Sequence, residues 1–188
     1  MSCTGKQPAY PGKTNLQPMT AATPEFDSSH FRRALGRFPT GVTIVTAWGS
    51  EGSPVGLTVS SFNAVSLTPP LVLWSLSLTS SSLKALEGCD RYVIQVLAAD
   101  QLSVAGRFAT GTPAQRFEGM SLIRSPRGAP RLDLPVAAWF ECHNRHRHEE
   151  GDHIIFIGQV EHCEFSDALP LVYHAGGYDL TPSPTSKV

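Results

Sequence analysis

Short apolar segments separated by Gly, Pro and Ser set the pattern of this chain. Residues 42–48 are apolar or β-branched nearly throughout and predict a strand. A turn over 51–54 returns the chain as a hairpin partner at 55–59. Residues 63–67 predict a further short strand, stopped by Pro69 and Pro70. Residues 71–76 are apolar on both faces, which suits a central barrel strand. Further strands are expected over 91–97, 137–146 and 153–163, the last two joined by a polar turn at 147–152. A short one is expected over 171–174.

Three helices punctuate these strands. Asp27 or Ser28 can cap one that runs to Gly36 and places Phe31, Ala34 and Leu35 on one face. A second follows the hydroxyls at 80–82, carries Leu83 and Leu86, and closes at Gly88. Asp100 is expected to cap a third, which runs to Phe108. Residues 110–118 read as a loop with a short turn, and 125–135, with three prolines and a glycine, as an exposed loop. Strand neighbours in sequence and the absence of alternating βαβ units predict a mainly β fold with short helices. A closed or split antiparallel β-barrel with helices at its rim fits that order. The expected division is a flexible arm at 1–25, one folded domain at 26–180 and a frayed tail at 181–188.

Composition narrows the function classes. The chain has 188 residues and a formal net charge of −1, with no long Lys/Arg run, which excludes a sequence-independent nucleic-acid binder. Near neutrality leaves association with other chains, including copies of itself, unopposed. No apolar run approaches the roughly 20 residues that span a bilayer, and the first residues lack a signal-peptide core. Cys3, Cys89, Cys142 and Cys163 lie far apart without CxxC pairs, so free thiols and a cytoplasmic location are expected.

The patterns GxGxxG, GxxxxGK[ST], GxSxG and HExxH are all missing. His143, His146, His148 and His153 with Cys142 invite a metal reading, but a closed zinc site needs four ligands and an ordinary solvated strand end explains the histidines better. No metal is expected. Two hydroxyl-rich patches, Thr58, Ser60 and Ser61 before one strand and residues 79–82 after it, suggest a cradle for a flat, phosphorylated ligand such as a flavin. One serine is explained as a helix cap; three consecutive ones exceed what a cap needs. Arg107, beside Phe108, either adds a cation for a phosphate or faces solvent.

The runs FRRALGRFPTGVTIVTA, GLTVSSFNAVSLTPPLVLWSL, GDHIIFIGQV and LVYHAGGY, in that order, resemble the flavin reductase-like family of FMN-binding split barrels, over about 31–180. These serve as reductase components of two-component flavin monooxygenases. The resemblance implies NAD(P)H:flavin oxidoreductase activity on FMN or FAD, with NADH or NADPH as donor, a homodimer and a partner monooxygenase that receives reduced flavin. It implies that Pro39, Thr40 and Gly41 line the flavin site with Thr58, Val59, Ser60 and Ser61. Ser81 and Ser82 would hold the phosphate, with Arg107 and Phe108 nearby. Asp152 and His153 would lie near the flavin ring and nicotinamide, His153 as the catalytic candidate. His174, Gly177 and Tyr178 fall in the segment that contacts the nicotinamide nucleotide. Thr68 stands where many relatives have Asp, and Glu150 where Gly is usual. The rival readings are a non-catalytic FMN-binding electron carrier on the same barrel and, more distantly, a pyridoxamine-phosphate oxidase-like enzyme.

Overall fold

The computed structural model describes residues 23–49 and 51–179. The expected arm falls outside these residues over 1–22, and the expected tail at 181–188 lies outside them entirely. The elements are α1 (Ser28–Leu35), β1 (Thr40–Gly41), β2 (Thr43–Trp48), β3 (Pro54–Val59), β4 (Asn63–Leu67), β5 (Pro70–Ser77), α2 (Leu83–Glu87) and β6 (Arg91–Val96). They continue as α3 (Leu102–Thr110), α4 (Pro113–Phe117), β7 (Leu122–Arg124), β8 (Pro130–Leu132), β9 (Ala138–Glu150), β10 (His153–Phe165), β11 (Val172–His174) and β12 (Gly177–Asp179).

Seven strands form one sheet in the order β3-β2-β6-β9-β10-β5-β4, with every pair antiparallel. The ladder does not close, because β3 and β4 stand at its two ends. The fold is therefore mainly β with short helices, a split antiparallel barrel. β1, β11 and β12 make a small separate sheet, and β7 with β8 a two-stranded one.

Two cores explain which strands are apolar throughout. Val45, Ala47, Tyr92 and Ile94 join Trp74, Leu86 and Phe156 on one side. Ile44, Val93 and Leu97 join Ala105, Phe108, Leu132 and Trp139 on the other. β2, β6 and the first part of β9, with Trp139 in one core and Cys142 in the other, are thus covered on both faces. β5, read from sequence as such a strand, instead alternates: Val72, Trp74 and Leu76 are buried, and Leu71, Leu73 and Ser75 are half-buried.

Three other expectations change for physical reasons. α3 begins after Gln101 rather than Asp100, because the Gln101 side chain accepts from Ala98 N (2.9 Å) and donates to the Pro135 carbonyl (3.2 Å). The 125–135 stretch is not an exposed loop: Ser125, Ala129 and Leu132 are buried and residues 130–132 form β8. Its organiser is Glu141, fully buried on β9, which accepts from the Ser125 hydroxyl and from the backbone N–H groups of Arg127 (2.9 Å) and Ala129 (3.4 Å). A buried carboxylate needs such donors, and a tight turn supplies them. Finally, β9 and β10 run through most of the expected 147–152 turn. Only Gly151 and Asp152 connect them, with Gly151 at φ 62, the left-handed region that glycine occupies without strain.

Candidate functional site

The gap between β3 and the β4–β5 hairpin gathers the hydroxyl-rich segments. Val59 ends β3 opposite Thr43, whose hydroxyl donates to the Val59 carbonyl (2.9 Å), so the chain entering β2 lies beside the 58–61 segment. The Thr58 hydroxyl donates to the Ala105 carbonyl on α3 (2.7 Å). Ser61 is clamped to β5: its hydroxyl accepts from Ser75 N (2.9 Å) and donates to the Ser75 carbonyl (3.2 Å). Ser60 between them is exposed.

The second patch begins two residues beyond Ser75. Ser77 and Thr79 share a hydroxyl–hydroxyl bond of 2.9 Å. Ser81 faces solvent, whereas Ser82 is only 5% exposed and sits at the N-cap position of α2 without capping it. Its hydroxyl is taken instead by Arg116. That guanidinium donates through Nη1 to Ser82 Oγ (3.1 Å) and to the Gly56 carbonyl of β3 (2.7 Å), and through Nε to the Gly111 carbonyl (2.9 Å). One arginine therefore ties both ends of the 56–82 stretch together. Its partial burial lowers its pKa from the ordinary guanidinium value.

Arg116 falls in the 110–118 stretch, expected as a loop with a short turn, where the structure has the short helix α4. The signal was present: Thr112 and Gln115 form a reciprocal capping box around Pro113, the ordinary start of a helix. Arg107 points elsewhere, donating from the exposed side of α3 to the Glu118 carbonyl (2.8 Å). Phe108 beside it is fully buried and meets Phe117 edge-on at 5.1 Å, so it supports the site wall from behind.

His153 opens β10 directly opposite Ser77, and the Asp152 carbonyl accepts from Leu78 N (3.0 Å). The β9–β10 turn thus borders the second hydroxyl patch. His153 Nδ1 and Asp152 Oδ1 are 2.7 Å apart, and this contact holds the Asp152 carboxyl below the usual carboxylate range. His153 is half-buried and Asp152 is exposed.

Pro39, Thr40 and Gly41 meet the C-terminal motif. Thr40 pairs with Tyr173 and Gly41 with Val172, and Ala175 N donates to the Gly36 carbonyl (2.7 Å). The expected last strand is in fact a hairpin, β11–β12, turning through Ala175 (φ 51) and Gly176 (φ 85). His174 pairs with Gly177 across it, and Tyr178 meets Tyr173 at 5.3 Å.

The residues present fit a flat, phosphorylated group. Thr40 Oγ1 is buried without a partner, and a Cβ on Gly41 would meet nothing within 4 Å, so polar atoms and open space coincide there. Ser60 and Ser81 are exposed, and Arg116 places a cation on Ser82, next to Ser81.

The sequence pattern of the flavin reductase like domain matches residues 35–181. The chain is 41% identical over 152 residues to the FMN reductase (NADH) SmoA of Agrobacterium fabrum, covering 81% of this chain and 85% of that one. It is 38% identical over 158 residues to the reductase subunit HsaB of a Rhodococcus jostii flavin-dependent monooxygenase, covering 84% and 80%. Among solved structures, the Streptomyces globisporus NADH:FAD oxidoreductase SgcE6, in complex with NAD and FAD fragments, superposes with a TM-score of 0.78 at 32% identity, covering 86% and 96%. With the split barrel and the hydroxyl-lined gap already in place, these likenesses settle the family: the chain belongs to the flavin reductase-like family.

Proposed function

We propose that this chain is an NAD(P)H-dependent flavin reductase that reduces FMN or FAD and passes the reduced flavin to a partner monooxygenase. The observation that carries the reading is that Arg116 ties Gly56, two residues before the first hydroxyl patch, to Ser82 in the second, which the β9–β10 turn borders at Ser77 and Leu78. When bound, the flavin ring accepts a hydride from the dihydronicotinamide, chemistry that belongs to the two cofactors. The chain's own task is to position the rings and neutralise charge.

In this reading the backbone and side chains of Pro39, Thr40, Gly41, Thr58, Val59, Ser60 and Ser61 line the ring. Ser81 offers its hydroxyl to the phosphate, and Ser82 with Arg116 fixes the α2 start and supplies positive charge. Phe108 backs this wall, and Arg107 braces α3 against α4. His153, oriented by Asp152, sits where it can hold or move a proton beside the ring. His174, Gly177 and Tyr178 receive the nicotinamide nucleotide.

Residues 26–180 act as one domain, assembled as a homodimer in the cytoplasm. None of the described helices is long and apolar enough to cross a membrane. The test is direct. Purified chain with NADH or NADPH and added FMN or FAD should show flavin-dependent loss of nicotinamide absorbance. No loss with any pairing would sink the reading.

A further inference from the structure

A cavity of about 300 Å³ opens at the C-terminal end of α2, the end opposite Ser82. Its wall comes from three places: Trp48 and Gly49 at the end of β2, Lys84, Ala85 and residues 88–91 around the end of α2, and the 127–129 turn before β8. None of these residues belongs to the flavin or nicotinamide surfaces described above.

The hydrogen-bonding state of that wall defines what it can accept. Its backbone groups are largely engaged by the protein. The Gly128 carbonyl accepts from Trp48 Nε1 (2.8 Å) and from Arg124 (3.2 Å), and the Asp90 carbonyl from Asn144 N (2.8 Å). The Cys89 carbonyl accepts from the Asn144 side chain (3.0 Å), and the N–H groups of Arg127 and Ala129 go to Glu141. The Cys89 thiol bonds to the Leu86 carbonyl, and burial pushes it up to about 11, so it stays neutral.

What remains is side-chain capacity, and it is mostly donor. Lys84 and Arg127 form no ion pair among the described residues, and Arg91 uses Nε and Nη2 on Glu161 but keeps Nη1. The only carboxylate in the wall is Asp90. The rest of the lining, Trp48, Ala85, Cys89 and Ala129, is apolar or neutral. At about 30 Å³ per water the space equals roughly ten waters, enough for a one-ring molecule and too small for a dinucleotide.

We propose that this cavity is a second binding site, for a small organic anion that carries a carboxylate or phosphate on a single apolar ring. The ring rests against Trp48 and Ala85, and the anionic end is held by Arg127 and Lys84.

Isothermal titration of the full chain with benzoate, and separately with phenyl phosphate, tests this. Saturable binding of at least one of them is expected, and the pair tells carboxylate from phosphate. The affinity should be unchanged by saturating FMN and weakened about tenfold or more by Arg127→Glu or Lys84→Glu, the loss of one charge-assisted hydrogen bond. Both side chains are exposed, so the variants should fold, and Arg127→Gln gives a milder second case. Absence of binding up to about 10 mM would overturn the proposal. So would displacement by FMN, which would place the anion in the flavin site, or equal binding by the charge-reversed variants.

Discussion

Arg116 is the side chain on which the site's two halves depend. It donates to Gly56 on β3 and to Ser82 at the start of α2, and no other described cation bonds to both. Arg116→Ala should therefore weaken flavin binding by about tenfold or more, the scale of a lost charge-assisted contact. Arg107→Ala should change it much less, since its guanidinium is taken by the Glu118 carbonyl. Flavin titration by fluorescence quenching compares the two, and equal losses would reverse the assignment. His153 makes a different prediction: His153→Ala should lower turnover more than flavin affinity, and a variant with full turnover would remove it from the site. The Asp152 contact has a definite pH sign. The Asp152 carboxyl is held low by His153, so the contribution of this pair is present above the ordinary carboxylate value near pH 4 and is lost as pH falls through the lowered one. The His153 ring resonances followed by NMR should show that acid step in the native chain and lose it in Asp152→Asn.

At the scale of elements, β10 has one position, Gly158, where an added side chain has no room unless a neighbour shifts. A Cβ on Gly158 would collide with the Tyr92 hydroxyl and come within 3.0 Å of Cys142 Cβ. Gly158→Ala should cost about 1–3 kcal/mol in denaturant unfolding, the usual range for overpacking a core. Tyr92→Phe should return much of it, because it removes the hydroxyl that the new Cβ meets first. An Ala variant as stable as the parent would show that the barrel has slack there. The strands that sequence revealed are those whose fate is decided locally. β4 matches its expected limits because Asn63 and Pro69 bound it, and β2 and β3 because a polar turn separates two β-branched runs. The misread segments depend on distant partners. Ser125 and Ala129, the two ends of the 125–129 turn, are buried because Glu141 on β9 draws in the turn's hydroxyl and N–H groups, and α3 starts late because Gln101 bonds to Pro135. The hydroxyl patches were legible as composition. Their joint by Arg116 was not, since Gly56 and Ser82 meet it across 60 and 34 residues.

At the scale of the whole molecule, α1 shows what the single chain leaves unfinished. None of its residues is buried, and Phe26, Phe31, Leu35 and Phe38 are 50–71% exposed. Phe31 and Leu35 lie one turn apart on the same face of α1, and Phe26 before the helix and Phe38 after it add further exposed apolar surface. The Gly36–Ala175 hydrogen bond ties the end of α1 to the β11–β12 hairpin, and Pro39–Gly41 follows directly, which puts this bare surface next to the proposed nicotinamide side. Apolar surface gains on the order of 25 cal/mol per Å² when covered, and a net charge of −1 does not oppose a second copy. The expected outcome is a homodimer with a two-fold contact through α1. Sedimentation velocity at micromolar concentration should find a dimer for the parent chain and a monomer for the Phe31→Glu/Leu35→Glu double variant. Because α1 leads straight into Thr40 and Gly41, the monomeric variant should also lose turnover while its barrel core, measured by unfolding, stays intact. A parent chain that sediments as a monomer, or a double variant that stays dimeric, would show that α1 is not the contact.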